Sequence, residues 1–331
     1  MFTNINFSVL DLAPVTDIGT EAEAIANSVA FAQHAEKLGY KRFWLAEHHN
    51  MDGIASAATA VLIGHIAGAT KHIRVGAGGV MLPNHAPLVV AENFGTLATL
   101  YPNRIDLGLG RAPGGDQLTL RALRRHSEEN VNDFPDQVAL LEHLFGPAQP
   151  GQRLFARPGT GTNVPIWLLG SSLFSAQLAA LRGLPYSFAS HFAPAMLQQA
   201  LQIYRENFRP SEFLDKPHVM VAAPLLAAED DAQAAYLATT AYQRSLSLIR
   251  GHSLRMKPPV DNMETLWNAR ERQAVLGMYG KALVGGPDSV KEQLQQLVAS
   301  TQPDEIIFTC DFYNFDHRLR ALDIAASFKE E

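Results

Sequence analysis

IRVGAGGVMLPNHAPLVVAENFGTLATLYPNRIDLGLG, residues 73–110, reads as strand, helix, strand. The first run, 73–82, is apolar and glycine-bearing; LVVAENFGTLATLY has helical period; RIDLGLG, 104–110, is apolar again. Both strands are hydrophobic on both faces, as parallel strands are when helices cover them.

The same rhythm extends in both directions. Upstream lie strand INFSVLD (5–11), helix EAEAIANSVAFAQHAEKLG ending on Gly39, strand KRFWLAEHH (41–49) and the small-residue helix ASAATAVLIGHIAGAT. Downstream come VPIWLLG (164–170) with FSAQLAALRG, PYSFASHF with PAMLQQALQIYRENF, and HVMVAAPLLAA leading into a helix over 229–250. PDSVKEQLQQLVAS is a further helix, DEIIFTCDF (304–312) the last strand, and 317–328 the closing helix. Eight βα units predict an α/β fold of the (β/α)8 TIM barrel type over residues 1–331, one domain; an open doubly wound sheet is the alternative. Two stretches rich in Gly, Pro and charge break the rhythm: 111–133, after strand four, and 251–286, before the last βα unit. Loops of that length in compact domains are usually functional or disordered.

Composition narrows the function. With 331 residues, net charge −6 and no basic cluster longer than RALRR at 121–125, the chain is a poor match for nucleic acid. Cys310 is the single cysteine, which rules out an intramolecular disulfide and a thiolate metal cluster. Neither a signal-peptide pattern nor a membrane-length apolar run occurs, so the chain reads as a soluble, reduced, cytoplasmic protein.

In a barrel, chemistry sits where strands end. Strand two ends in Glu47, His48 and His49. Adjacent strand residues point to opposite faces, so the two histidines cannot readily share a metal, and neither HxH nor HExxH occurs; no metal is expected. One imidazole can still face the mouth as an acid or base, a structural histidine being the alternative. GLGRAPGGD has the wrong spacing for a dinucleotide fingerprint, and its glycines suit close approach of a flat ligand, with Arg111 reaching an anion or simply solvated. Gly170 is followed by Ser171, Ser172 and Ser175 at a helix start, where exposed amides favour a phosphate; N-capping accounts for only one serine. Glycines in strand three mark close approach of a ligand or of neighbouring elements.

Together, LAEHHN, RVGAGGVMLPNHAP, NRIDLGLGRAPG and WLLGSSLFSAQLAALRGLP resemble the bacterial luciferase-like, flavin-dependent monooxygenases, over nearly the whole chain and nearest their uncharacterised single-component bacterial branch. The resemblance implies a barrel that takes reduced FMN as co-substrate at its C-terminal mouth. It implies reaction with O2 through a C4a-(hydro)peroxyflavin to oxygenate a small organic substrate. By the same resemblance His48 is catalytic, stabilising the peroxide, and His49 supports it from behind. Arg111, Ser171, Ser172 and Ser175 would hold the flavin phosphate, with Arg124 and Arg125 competing as a second phosphate arginine. Ala77, Gly78 and Gly79 would underlie the ring, a cis peptide being expected at Ala77–Gly78 or Gly78–Gly79, and Glu92 matches the family's helix acid. A separate flavin reductase and a homodimer or larger homo-oligomer are implied partners. Where luciferase carries a reactive cysteine this chain has Gly110, and it is shorter after the long helix, which speaks against light emission. An F420-dependent hydride transferase and a non-catalytic flavin carrier are the rival readings. The 251–286 insertion is expected as a lid, with His191 either lining the cavity beneath it or structural.

Overall fold

The computed structural model describes residues 2–112, 117–123 and 133–329; Arg124 and Arg125 lie outside them. The chain runs β1 (Asn6–Asp11), α1 (Glu21–Lys37), β2 (Arg42–Leu45), α2 (Thr59–Ala69), β3 (Arg74–Met81), α3 (Pro87–Leu100) and β4 (Ile105–Gly110). It continues through α4 (Gln117–Leu123), α5 (Phe134–Phe145), β5 (Ile166–Gly170), α6 (Leu173–Arg182), β6 (Tyr186–Phe188) and α7 (Leu197–Glu206). Then follow β7 (Val219–Ala227), α8 (Asp231–Arg250), α9 (Ala269–Met278), β8 (Leu283–Gly285), α10 (Pro287–Thr301), β9 (Glu305–Thr309) and α11 (Phe315–Ser327).

β1 to β7 pair in sequence order, β9 joins β7 to β1, and all pairs are parallel. Eight strands thus close a (β/α)8 barrel, and the open sheet is excluded. Local sequence explains the helix ends. Thr20 and Glu23 form a capping box on α1, and Gly183 closes α6 in the left-handed conformation at φ 63°.

Side chains alternate between two cores. Val9, Phe43, Leu45, Val75, Leu107 and Phe308 point outward to the helices. Leu10, Trp44, Ala46, Trp167, Met220, Ala222 and Ile307 fill the lumen. The N-terminal end of the lumen is closed by charge. Arg42 bonds Asp106 at 2.7 Å and Glu305 at 3.0 Å, Arg74 shares Asp106, Ser8 bonds Glu305, and the Trp167 ring lies 4.7 Å from the Arg42 guanidinium carbon. Each buried charge there has a partner, which is what permits its burial.

The second insertion follows α8, as the sequence predicts. α8 itself follows β7, and both α8 and α10 pack against β7 and β8. The second half of α8 reaches the C-terminal mouth. Arg244, in that half, bonds Asp311 beyond β9 and the Gly53 carbonyl beyond β2. β8, a three-residue strand, pairs outside the barrel with the end of β7, Leu225–Ala227. The segment after α8 is pinned down: Met256 exchanges backbone hydrogen bonds with Val15 and Asp17, and Asp52 accepts from Ser253 and Leu254. No helix among the described residues is long and apolar enough to cross a membrane.

Candidate active site

β2 ends at Leu45, earlier than the expected strand over 41–49, but the alternation persists beyond it. Arg42, Trp44 and Ala46 face the lumen, and His48 falls in the same register. Its Nδ1 is buried and takes no partner. Burial pushes the His48 pKa down to about 4, with the Arg244 charge adding to the effect and Glu47 opposing it. His191, beyond β6, also has a buried, unpartnered Nδ1 and is pushed down to about 4 by burial, Asp311 opposing. Two neutral imidazoles with open nitrogens therefore stand at the mouth, His48 within reach of the Arg244 charge and His191 of the Asp311 charge.

His49 turns the other way. Its Nε2 lies 2.8 Å from Glu47 Oε1, and His85 Nε2, from the loop after β3, lies 2.7 Å from the same oxygen. The Met81 amide donates to the other oxygen at 3.3 Å. Burial pushes the Glu47 carboxyl up, but the bonds and charges of His85 and His49 outweigh it and hold it below its ordinary value. These three side chains could supply metal ligands, a grouping the sequence reading did not foresee because His85 arrives from another strand. Their spacing is that of imidazoles donating to a carboxylate. His48 and His49 do face different partners, as strand alternation requires.

β3 carries a cis peptide at Gly78–Gly79 and a register shift between Ala77 and Val80. A Cβ on Gly78 would meet Leu10 and Trp44 at 2.8 and 2.9 Å; one on Gly79 would meet Leu169 at 2.3 Å. These glycines therefore admit close packing of the lumen, the alternative that the sequence left open. Ala77 packs outward among the helix-facing core residues. Gly110 differs: its Cβ direction is open but for the Val80 carbonyl at 3.8 Å.

Arg111 stands beyond Gly110 with its guanidinium carbon 4.0 Å from the centre of the Phe174 ring. Phe174 is in the first turn of α6, so the stacking brings Arg111 beside Ser171, Ser172 and Ser175. Ser172 occupies the N-cap without making a cap hydrogen bond, which leaves first-turn amides open. The serines do not present alike, however. Ser175 is buried against Gly170, where a Cβ would come within 2.5 Å of its hydroxyl, whereas Ser172 is exposed. Glu92 sits in the second turn of α3, half-buried, and no hydrogen bond or ion pair joins its carboxylate to a described residue. Sequence reasoning missed Arg244, Asp311 and Tyr279, whose hydroxyl bonds Ser245 and the Ala241 carbonyl on α8. Only the final turn of α9 over α8 brings that last group in.

Comparison with known proteins agrees with this fold. The family model described as luciferase-like monooxygenase matches residues 5–304. Bacillus subtilis (strain 168) YvbT, itself uncharacterized, is 53% identical over 96% of this chain and 95% of its own. A luciferase-like monooxygenase of Escherichia coli (strain K12) is 50% identical, covering 99% of this chain and 98% of its own. Among solved structures, apo-MsnO8 superposes with TM-score 0.86 at 32% identity over 98% of both chains.

Proposed function

Since the chain belongs to the luciferase-like monooxygenase family, we propose that it is an FMN-dependent monooxygenase that consumes reduced FMN and O2 to oxygenate a small organic substrate. The observation that carries this reading is the open cation-and-amide corner of Arg111 and the α6 N-terminus, facing the same mouth as the unpartnered His48. The residues fit the group. A phosphate would take the free first-turn amides, the Ser171 and Ser172 hydroxyls and the Arg111 guanidinium, in charge-assisted bonds that set the register of the ring. Bound there, reduced flavin would supply the two electrons that activate O2, one atom of which goes to the substrate and the other to water.

The chain's own part is placement, dryness and proton control. α8 and the pinned 251–258 segment roof the mouth and keep water from the reacting atoms. His48 is neutral at pH 7, so it offers one ring N–H and one lone pair for holding or moving a proton at the oxygen to be transferred. Reduced flavin would come from a separate reductase, and the protein would work as a homo-oligomer.

Mixing protein loaded anaerobically with reduced FMN against oxygenated buffer in a stopped-flow instrument tests the reading. A transient species ahead of the oxidised-flavin spectrum is expected, and its lifetime should fall at least about tenfold in His48→Ala while FMN affinity is kept. Direct formation of oxidised FMN with no intermediate, in wild type, would sink the monooxygenase reading and favour F420 or a carrier role.

A further inference from the structure

Arg244 is a feature of the mouth that FMN binding leaves without a task. It comes from α8 rather than from a barrel strand, and its side chain is 9% exposed. A guanidinium has five N–H donors. Here Nη1 donates to Asp311 Oδ1 at 3.0 Å and Nη2 reaches the Gly53 carbonyl at 3.4 Å, a long bond. Among the described residues the remaining donors have no partner, and no aromatic ring covers the guanidinium face.

The other buried arginines are finished differently. Arg42 lies between two carboxylates, Asp106 and Glu305, with Trp167 across its face. Arg318 bonds Asp11 and the Cys310 carbonyl, and stacks 4.3 Å from the Phe31 centroid. Arg42 shows that one guanidinium in this fold accommodates two acids. Among the described residues Arg244 has one acid, and its charge reaches His48, which like His191 presents a buried unpartnered nitrogen. The His191 imidazole could donate to the far oxygen of an incoming group.

We infer that Arg244, balanced by Asp311, is a specificity-determining residue that anchors an anionic group of the substrate, so that the substrate class is an organic carboxylic acid. The inference deepens the monooxygenase reading and rests on it for the word substrate; the binding event itself does not. Arg244 supplies a charge-assisted pair in a site largely closed to water, and Asp311 keeps the cation compensated while the site is empty. An ester of the same acid loses the charge and the second acceptor.

Isothermal titration of FMN-saturated protein with phenylacetate, octanoate and N-acetylmethionine, each against its methyl ester, tests the assignment. At least one acid should bind saturably and roughly tenfold or more tighter than its ester. That preference should shrink to within about threefold in Arg244→Met and in Arg244→Met/Asp311→Asn, with the FMN dissociation constant changed less than about twofold. The double variant guards against misfolding caused by an unpaired Asp311. Equal binding of acid and ester, absence of binding by all three acids, or a loss of FMN affinity in the variants would each overturn the proposal, the last by assigning Arg244 to the cofactor. If FMN itself fails to bind, the monooxygenase reading falls. The acid titration is then repeated in saturating inorganic phosphate, which occupies the α6 corner, and it still reads Arg244 alone.

Discussion

Glu47 shows how much one carboxylate does at the residue scale. It receives two imidazoles and an amide from the ends of β2 and β3, and so fixes the chain on either side of His48. In Glu47→Gln a single amide oxygen would have to serve donors that now share a carboxylate, leaving one short of its partner. Urea unfolding should show a loss of about 1–3 kcal/mol; a change under about 0.5 kcal/mol would mean that the cluster is surface decoration. The glycines separate in the same way. Gly108→Ala sets a Cβ 2.3 Å from the Ala77 carbonyl, which is backbone and cannot step aside, whereas Gly110→Ala meets nothing nearer than 3.8 Å. Overpacking should cost the first variant about 1–3 kcal/mol and leave the second near wild type in thermal unfolding. Equal losses at the two positions would refute the packing account. Strand alternation made it legible that His48 and His49 face different sides; which of them faces the mouth came only from the family resemblance. The Glu47–His85 bond was not legible, since no spacing along the chain announces a partner on the next strand.

At the scale of elements, the eight barrel strands stand out in the sequence as apolar runs and α8 is found with its bounds, but its reach to the mouth is not. Its helical period is the same whether it only covers a strand or also reaches the mouth, and only its long-range bonds distinguish the two. β8 is three residues long, too short for any pattern to declare it. The segment after α8 is rich in charge and turn residues and reads as a free lid, yet it is sewn to the loops after β1 and β2. Arg255 bonds the carbonyls of Thr16 and Gly19, and a Cβ on Gly53 would fall 2.1 Å from the Leu254 carbonyl carbon. Gly53→Ala should therefore lift this segment without unfolding the barrel. Hydrogen exchange at the Met256 amide, now bonded to Val15, should accelerate by roughly tenfold or more while strand amides keep their protection. Unchanged exchange at Met256 would mean that the glycine contact does not hold the roof in place.

The whole molecule divides its polar groups between two ends of one lumen. The N-terminal end spends buried charges on each other. Replacing Glu305 by Gln should cost about 3–5 kcal/mol, because Arg42 and Ser8 lose a charged partner in a closed site. The C-terminal end instead leaves nitrogen atoms of His48 and His191 buried and unspent, an arrangement that makes stability depend on pH. Each imidazole sits near pKa 4 in the fold against 6.5 ordinarily, with burial as the main cause. Between those values the unfolded chain binds the protons that the folded one refuses, so stability rises with pH across that window. On acidification from pH 6.5 to 4 each histidine should remove at most about 3 kcal/mol, less where water reaches the ring. The carboxylates of Glu47, Asp106 and Glu305 are held below their ordinary values, so their contribution is lost only at the acid edge of this window and beyond it. Calorimetric melting temperatures from pH 7 to 4.5 should accordingly fall in wild type and fall much less in His48→Gln/His191→Gln, where neither position can take up a proton on unfolding. The same slope in that double variant would show that the acid sensitivity comes from elsewhere, and that the two open imidazoles are not held neutral by the fold.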